Sequence, residues 1–240
     1  MIKPGGSDVL AKRALQVQRG AARAAVLGVN DGLVSVLCLV LAVAGAGAGS
    51  SAVLLAGFAG WLAGAVSMAA GEWISVRAQV ELFEGILRDV RKLMNNGSRE
   101  VLGGQLKERL QAAGWSERTA SSATQEILSA DQHLTDAYAR QVMGFNPDEL
   151  GSPWMAAGSS FLLFTVGALA PLVPWIFGGG VVAIVLSITL TGLVSLVIGG
   201  FIGASSGKSV IYGALRQLLI VIFASAVTYA VGYLFGITVG

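Results

Sequence analysis

Five long apolar runs constrain the fold of this chain more than any other feature of its sequence. They lie near residues 24–45, 52–76, 155–177, 181–204 and 217–239. A helix needs about 20 mostly apolar residues to cross the hydrocarbon core of a bilayer, and each run has that length. The alternation typical of β-strands is not found in the sequence. The sequence therefore predicts an all-α membrane protein with five transmembrane helices.

Composition agrees with a membrane protein and excludes several classes of function. Only 12% of the 240 residues are charged, compared with about 25% in soluble domains. The net charge of +2 is too small to suggest a nucleic-acid partner. Cys38 and His133 are the only residues of their types, which excludes an intrachain disulfide and a Cys/His zinc site. We interpret Cys38 as a packing residue and His133 as solvated or capping. The sequence has no nucleophile–base pair, phosphate loop or redox-cofactor motif, so we predict neither an enzyme nor a tightly bound cofactor.

The distribution of Lys and Arg predicts the orientation. The tail 1–23 is basic, the loop 45–51 and the turn 178–180 are uncharged, and basic residues follow the second run and flank the start of the fifth. Because loops rich in Lys and Arg remain cytosolic, we expect a cytosolic N-terminus and an external C-terminus. The compact hydrophilic block and short tails favour a multi-pass protein of a bacterial cell (inner) membrane.

One hydrophilic block, residues 77–152, separates the second and third runs. Its pattern predicts a continuation of the second helix to Met94, a helix over 105–113, a helix over 117–130 with Ser116 as its cap, and a further turn or helix over 131–143. The chain thus divides into a cytosolic tail (1–23), helices one and two (24–76), a cytosolic helical, metal-binding insert (77–152) and helices three to five (153–240).

Asp31 and Glu72 are the only acids within the apolar runs. Asp31 lies seven residues into the first predicted helix and Glu72 lies five residues before Arg77, which places them about 10 Å and about 8 Å from the helix ends. Met68 lies one turn from Glu72, on the same face. An ionisable side chain inside a transmembrane segment costs about 3 kcal/mol or more, so these acids predict a functional site.

The chemistry of these side chains favours a borderline divalent ion. Two carboxylates provide hard oxygen ligands and the Met68 thioether is soft, a mixture that suits Fe²⁺ or Mn²⁺ better than Ca²⁺ or Mg²⁺. A weak site suits transport, because the ion must also leave. Carboxylates in surroundings of low dielectric also bind protons more readily, which predicts coupling of metal movement to proton movement.

Structural roles for the same residues are the alternative. Asp31 could cap a broken helix or pair with an arginine, Glu72 could reach the interface and pair with Arg77, and Met68 could simply pack in the core.

Gly28, Asp31, Gly32 and Ser35 are expected to share one face of the first helix.

Three carboxylates of the insert form a second candidate site. Glu81 and Glu84 are adjacent on the helix that continues the second run, and Glu126 belongs to a later helix. A helical bundle can gather such groups into a metal site. The alternative is an ordinary solvated face.

Several motifs resemble the vacuolar iron transporter family. They are NDGLVS at 30–35, SMAAGEWISV at 67–76, GSPW at 151–154, GALAP at 167–171 and ALRQLL at 214–219. The resemblance implies a five-helix homodimer with a cytosolic metal-binding insert and an ion path between two protomers. It implies export of Fe²⁺, and often Mn²⁺, from the cytosol in exchange for protons, with Asp31, Met68 and Glu72 as metal-binding residues. Residues 95–104 depart from the pattern, because they contain one acid where relatives contain several.

We therefore expect a dimeric exporter of cytosolic Fe²⁺ or Mn²⁺ in the lipid bilayer. Asp31 and Met68 bind the ion in transit, Glu72 receives it, and Glu81, Glu84 and Glu126 act as feeder ligands. The alternative function is a non-transporting membrane protein whose insert senses metal or recruits a partner. The buried Asp31 argues against that alternative, since a simple anchor does not need it.

Overall fold

A computed structural model describes residues 26–97, 99–129, 131–144, 146 and 151–239. The basic tail 1–23 therefore lies outside the described residues. In chain order, the helices are α1 (Val26–Gly45), α2 (Ser50–Asn95), α3 (Arg99–Ala112), α4 (Glu117–Leu128), α5 (Asp131–Tyr138), α6 (Pro153–Phe177), α7 (Gly180–Ser205) and α8 (Val210–Val239). A short π-helical turn, Ala139–Met143, follows α5. These described ranges contain no β-strand, which confirms the predicted all-α fold.

Five of these helices (α1, α2, α6, α7 and α8) are long and apolar enough to cross a membrane, as predicted. The main difference is at α8, which begins at Val210 and not near residue 217. Arg216 lowers the local hydropathy, so the apolar run begins later than the helix that contains it. The first two turns of α8 are helical although they contain both apolar residues and the charged Arg216.

The described structure divides into two compact units. Unit 1 combines the chain up to Glu72 with Ala156–Gly240, and unit 2 is Trp73–Met155. The continuous helix α2 contributes its first part to unit 1 and its second part to unit 2.

Unit 1 is built around α1. Val36 and Val40 of α1 pack in a buried cluster with side chains from α2, α6 and α7. Leu37 and Leu41, on another side of α1, pack with Val221 of α8. Since α1 has neighbours on several sides, only three of its residues are exposed and the others are buried or half-buried.

Glycines bring α1 close to two of its neighbours. A methyl group on Gly32 would overlap the carbonyl oxygen of Phe164 in α6, and one on Gly167 of α6 would overlap the carbonyl oxygen of Val29. On α8, a methyl group on Gly232 would overlap the carbonyl oxygen of Ala42. Small residues at such crossings allow backbone-to-backbone packing, which drives helix association in membranes.

Unit 2 has its own buried core. Its members come from α2, α3, α4 and α5: Val90, Met94, Leu102, Leu106, Leu110, Ala120, Leu134 and Tyr138. As predicted, α2 continues through the second unit and stops at Asn95, where Gly97 adopts a positive φ of 82°. The predicted cap is also present, because the Ser116 hydroxyl accepts a hydrogen bond from the Thr119 backbone N–H at 3.2 Å.

The predicted start of α3 is wrong. We expected Gly103 and Gly104 to precede the helix, but α3 begins at Arg99 and runs through both. Gly103 is buried, and a methyl group there would lie 2.8 Å from Leu128 Cδ1 of α4. The glycine permits close packing of two helices, and this packing offsets its low helix propensity.

Candidate functional site

A narrow exposed line runs along the otherwise covered α1. Between Val26 and Gly45, the exposed residues are Leu27, Asp31 and Ser35, which follow one another at intervals of four. The helix continues without a break through Asp31, and the Ser35 hydroxyl donates a hydrogen bond to Asp31 Oδ1 at 3.0 Å. Asp31 therefore neither caps a broken helix nor, among the described residues, pairs with an arginine.

The structure separates residues that we expected on one face of α1. Gly28 and Gly32 are buried against α6, whereas Asp31 and Ser35 are exposed. These residues span a wide arc of the helix, so close packing at the glycines does not cover the two polar side chains. The acid lies at the edge of the α1–α6 contact and remains accessible.

Met68 and Glu72 are both half-buried on α2. Met68 packs against the buried cluster that includes Phe164 and Ala65. One to three turns before Met68, Gly64 contacts the Phe164 ring and Gly57 contacts Leu172 and Val40. This part of α2 therefore faces α1 and α6, and Met68 extends the same packed surface.

Glu72 makes no hydrogen bond or ion pair with any residue that the structure describes. The suggested partner of Glu72, Arg77, instead donates from Nε to Glu81 Oε1 at 2.7 Å. The carboxylate of Glu72 is thus free of intramolecular partners among the described residues.

A polar pair next to Asp31 was not anticipated. The Gln217 side-chain amide of α8 donates a hydrogen bond to Asn30 Oδ1 of α1, and Gln217 is buried. Both residues line an open pocket of about 830 Å³ that also includes Val26, Phe201 and Ser205. A signal was present in the sequence, since Gln217 is the only Asn or Gln in residues 151–240.

The three feeder carboxylates belong to unit 2, and their side chains are exposed. Glu81 is paired with Arg77, while the main-chain carbonyls of Glu84 and Glu126 accept hydrogen bonds from Arg88 and from Ser129 respectively. Across the described ranges, no three Asp, Glu, His or Cys side chains gather in a group able to hold a metal ion. The feeder site therefore stays a prediction.

Cys38 and His133 are the only cysteine and the only histidine of the chain. Cys38 is half-buried on α1, which agrees with a packing role. The side chain of His133 lies outside the described residues.

Together these observations define a five-span helical membrane protein with an accessible acid inside its first helix. The chain belongs to the VIT family, which matches residues 22–233. It is 33% identical over 219 residues to "Vacuolar iron transporter homolog 2" of Oryza sativa subsp. japonica, covering 89% of each protein. It is 31% identical over 223 residues to "Vacuolar iron transporter" of Acanthamoeba castellanii, covering 90% of this chain and 78% of the relative. It is 32% identical over 187 residues to "VIT-like transporter 1a" of Glycine max, covering 78% of this chain and 71% of the relative. The resemblance found in the motifs is confirmed.

Proposed function

We propose that this protein moves Fe²⁺, and also Mn²⁺, out of the cytosol in exchange for protons, along a path formed by two copies of the chain. The observation that carries the proposal is Asp31, an acid exposed on the first transmembrane helix. Relatives named as iron transporters support the choice of metal.

The exposure of Asp31 also supports a dimer. A carboxylate that faces lipid inside the membrane is costly, so such a group faces a partner or water. The line Leu27, Asp31 and Ser35 is uncovered within one chain. A second copy placed against this line would bring two aspartates to one path and remove both from lipid.

Met68 and Glu72 have distinct roles in the proposed path. Glu72, unpaired among the described residues and near the end of the span, receives the ion at the cytosolic mouth. Met68 supplies a soft ligand deeper in the membrane, and Glu81, Glu84 and Glu126 act as feeder ligands. The bias of Lys and Arg supports a cytosolic N-terminus, an external C-terminus and a cytosolic insert in a cell membrane.

Metal flux into proteoliposomes under a pH gradient tests the central claim. Asp31→Asn keeps the side-chain shape and removes the charge, and we expect it to lower Fe²⁺ flux at least about tenfold, because losing a charge-assisted contact costs about 1.5–3 kcal/mol. Asp89→Asn, which removes an exposed acid of unit 2, is the matched control and should leave flux unchanged. Wild-type flux in Asp31→Asn protein would refute the assignment.

The role of the Met68 thioether is tested in the same metal-flux assay. Met68→Leu conserves volume and should be tolerated by the packing, but it removes the soft ligand and should lower Fe²⁺ flux more than Met155→Leu. Equal flux in the two variants would assign Met68 to packing alone.

The dimer is tested by cross-linking through the exposed line. In a Cys38→Ser background, Leu27→Cys should form a disulfide-linked dimer in membranes on mild oxidation. Val197→Cys, 73% exposed on α7, should not. If Leu27→Cys remained monomeric while wild-type flux persisted, the shared path would be wrong.

The rival function predicts a different result from purified protein. A membrane-anchored metal sensor would bind Fe²⁺ but would produce no flux in liposomes, whatever the pH gradient. Flux that depends on Asp31 excludes it.

A further inference from the structure

We propose that the start of α8 is a binding site for an anionic phospholipid, with Lys208 and Arg216 holding the headgroup phosphate. The site is separate from Asp31 and does not depend on the transport proposal. The site consists of an apolar groove and two cations at its end.

The two cations are concentrated at one aromatic ring. Lys208 Nζ lies 5.9 Å and Arg216 Cζ lies 6.0 Å from the centroid of the Tyr212 ring. They are the only charged residues in 151–240, and no acid occurs in that part of the chain. Neither cation forms an ion pair with a described residue. Two positive charges without an ion-pair partner among the described residues therefore lie within 6.0 Å of the Tyr212 ring centroid.

The loop before α8 fixes the position of Lys208. Gly207 adopts a positive φ of 67°, the Gly207 N–H donates to the Ala204 carbonyl at 3.2 Å, and the Lys208 N–H donates to the Gly203 carbonyl at 2.9 Å. This is the Schellman arrangement that ends a helix with glycine. Since the backbone of Lys208 is held, its side chain reaches Tyr212 from a defined origin.

An apolar groove continues from the cations along α8. It has a volume of about 500 Å³ and its lining is Tyr212, Leu215, Arg216, Leu219, Ile220 and Phe223. From Arg216 to Phe223 the helix advances about 10 Å. Exposed apolar side chains are ordinary on a membrane protein, but here a concave apolar surface begins beside two cations that have no ion-pair partner among the described residues.

Charge complementarity selects the occupant. A phosphodiester accepts hydrogen bonds from both a guanidinium and an ammonium, and an acyl chain fits an apolar groove. Basic residues at membrane level bind anionic headgroups in this way. Phosphatidylcholine carries its own cation, so a lipid with net negative charge, such as phosphatidylglycerol, satisfies both parts of the site.

The test is titration of the full chain, in neutral detergent, with phosphatidylglycerol or phosphatidylcholine. Retained lipid is counted by native mass spectrometry. We expect Lys208→Gln/Arg216→Gln to weaken phosphatidylglycerol binding about twenty-five-fold, at about fivefold for each basic residue near an anionic lipid. Arg91→Gln/Arg118→Gln removes two exposed charges from unit 2 and should have no effect. Lys208→Arg/Arg216→Lys retains the charge and should retain binding, which separates lost recognition from lost folding.

The groove is tested independently. Ile220→Trp should fill it and weaken phosphatidylglycerol binding, whereas Ile222→Trp, on the same helix outside the lining, should not. Binding should also weaken as salt shortens the Debye length from about 10 Å to about 3 Å. Equal binding of the two lipids by wild type, unchanged binding in Lys208→Gln/Arg216→Gln, or equally strong competition by glycerol phosphate would each overturn the proposal.

Discussion

The glycine crossing of α1 and α6 offers a sharp test of how this fold positions its acid. Gly167→Ala adds one methyl group where α6 meets the backbone of α1. That methyl group would overlap the Val29 carbonyl oxygen and lie 2.8 Å from the Leu33 backbone nitrogen. Asp31 lies between these two residues, so the substitution displaces its helix without touching the side chain.

The size of the effect follows from what the methyl group meets. Ordinary contact begins at 3.4 Å, so the Leu33 nitrogen alone requires a separation of about 0.6 Å more. A helical backbone cannot rotate away as a side chain can, which places the cost near the upper part of the usual range for overpacking, about 3 kcal/mol. Alanine recovers about 0.5–1 kcal/mol of helix propensity, which leaves a net loss of about 2 kcal/mol.

Gly158→Ala is the matched control. Gly158 is in the same helix, but a methyl group there meets nothing within 4 Å, so only the gain in propensity remains. Reversible unfolding in mixed detergent and dodecyl sulfate micelles should therefore separate the variants by about 3 kcal/mol. Fe²⁺ flux should fall in Gly167→Ala and persist in Gly158→Ala. Equal stability of the two would show that the α1–α6 contact does not limit the fold.

Three further predictions concern stability and use unfolding of the full chain as the measurement. Gln217→Leu leaves the Asn30 amide unpaired and should cost about 1–3 kcal/mol, while the double variant Asn30→Leu/Gln217→Leu should recover much of it; additive losses would contradict the pairing. Gly103→Ala meets only the movable end of a leucine side chain and should cost about 1 kcal/mol, whereas Gly104→Ala meets nothing within 4 Å and should be neutral or stabilising. Ser116→Ala removes the α4 cap and should cost about 1 kcal/mol; Ser116→Asp should retain the stability.

The elements that the sequence predicts well are those set by local physics. A run of about 20 apolar residues has few alternatives to a transmembrane helix, which is why all five were found. The stop of α2 at Asn95 and the Ser116 cap also depend on a few neighbouring residues. The start of α3 was missed because the glycines at 103 and 104 look like a break until α4 is seen against one of them.

The acid that most marks this chain was identified from sequence, since a carboxylate in an apolar run is costly wherever it points. The surroundings of Asp31 were not identified from the sequence. Helical periodicity placed Asp31 on the same face as Gly32, but only tertiary packing shows that Gly32 is buried against α6 while Asp31 is exposed. The Asn30–Gln217 pair likewise joins residues 187 positions apart.

Sequence alone thus determined the class of the protein and its family, because hydrophobicity and motif spacing are properties of short segments. It predicts the residues of the transmembrane site for the same reason. Tertiary structure decided which side of α1 is covered and which side remains exposed. It also showed that two isolated basic residues meet over one tyrosine beside a groove. Such facts depend on how distant helices pack, and close packing is set by shape across the whole core.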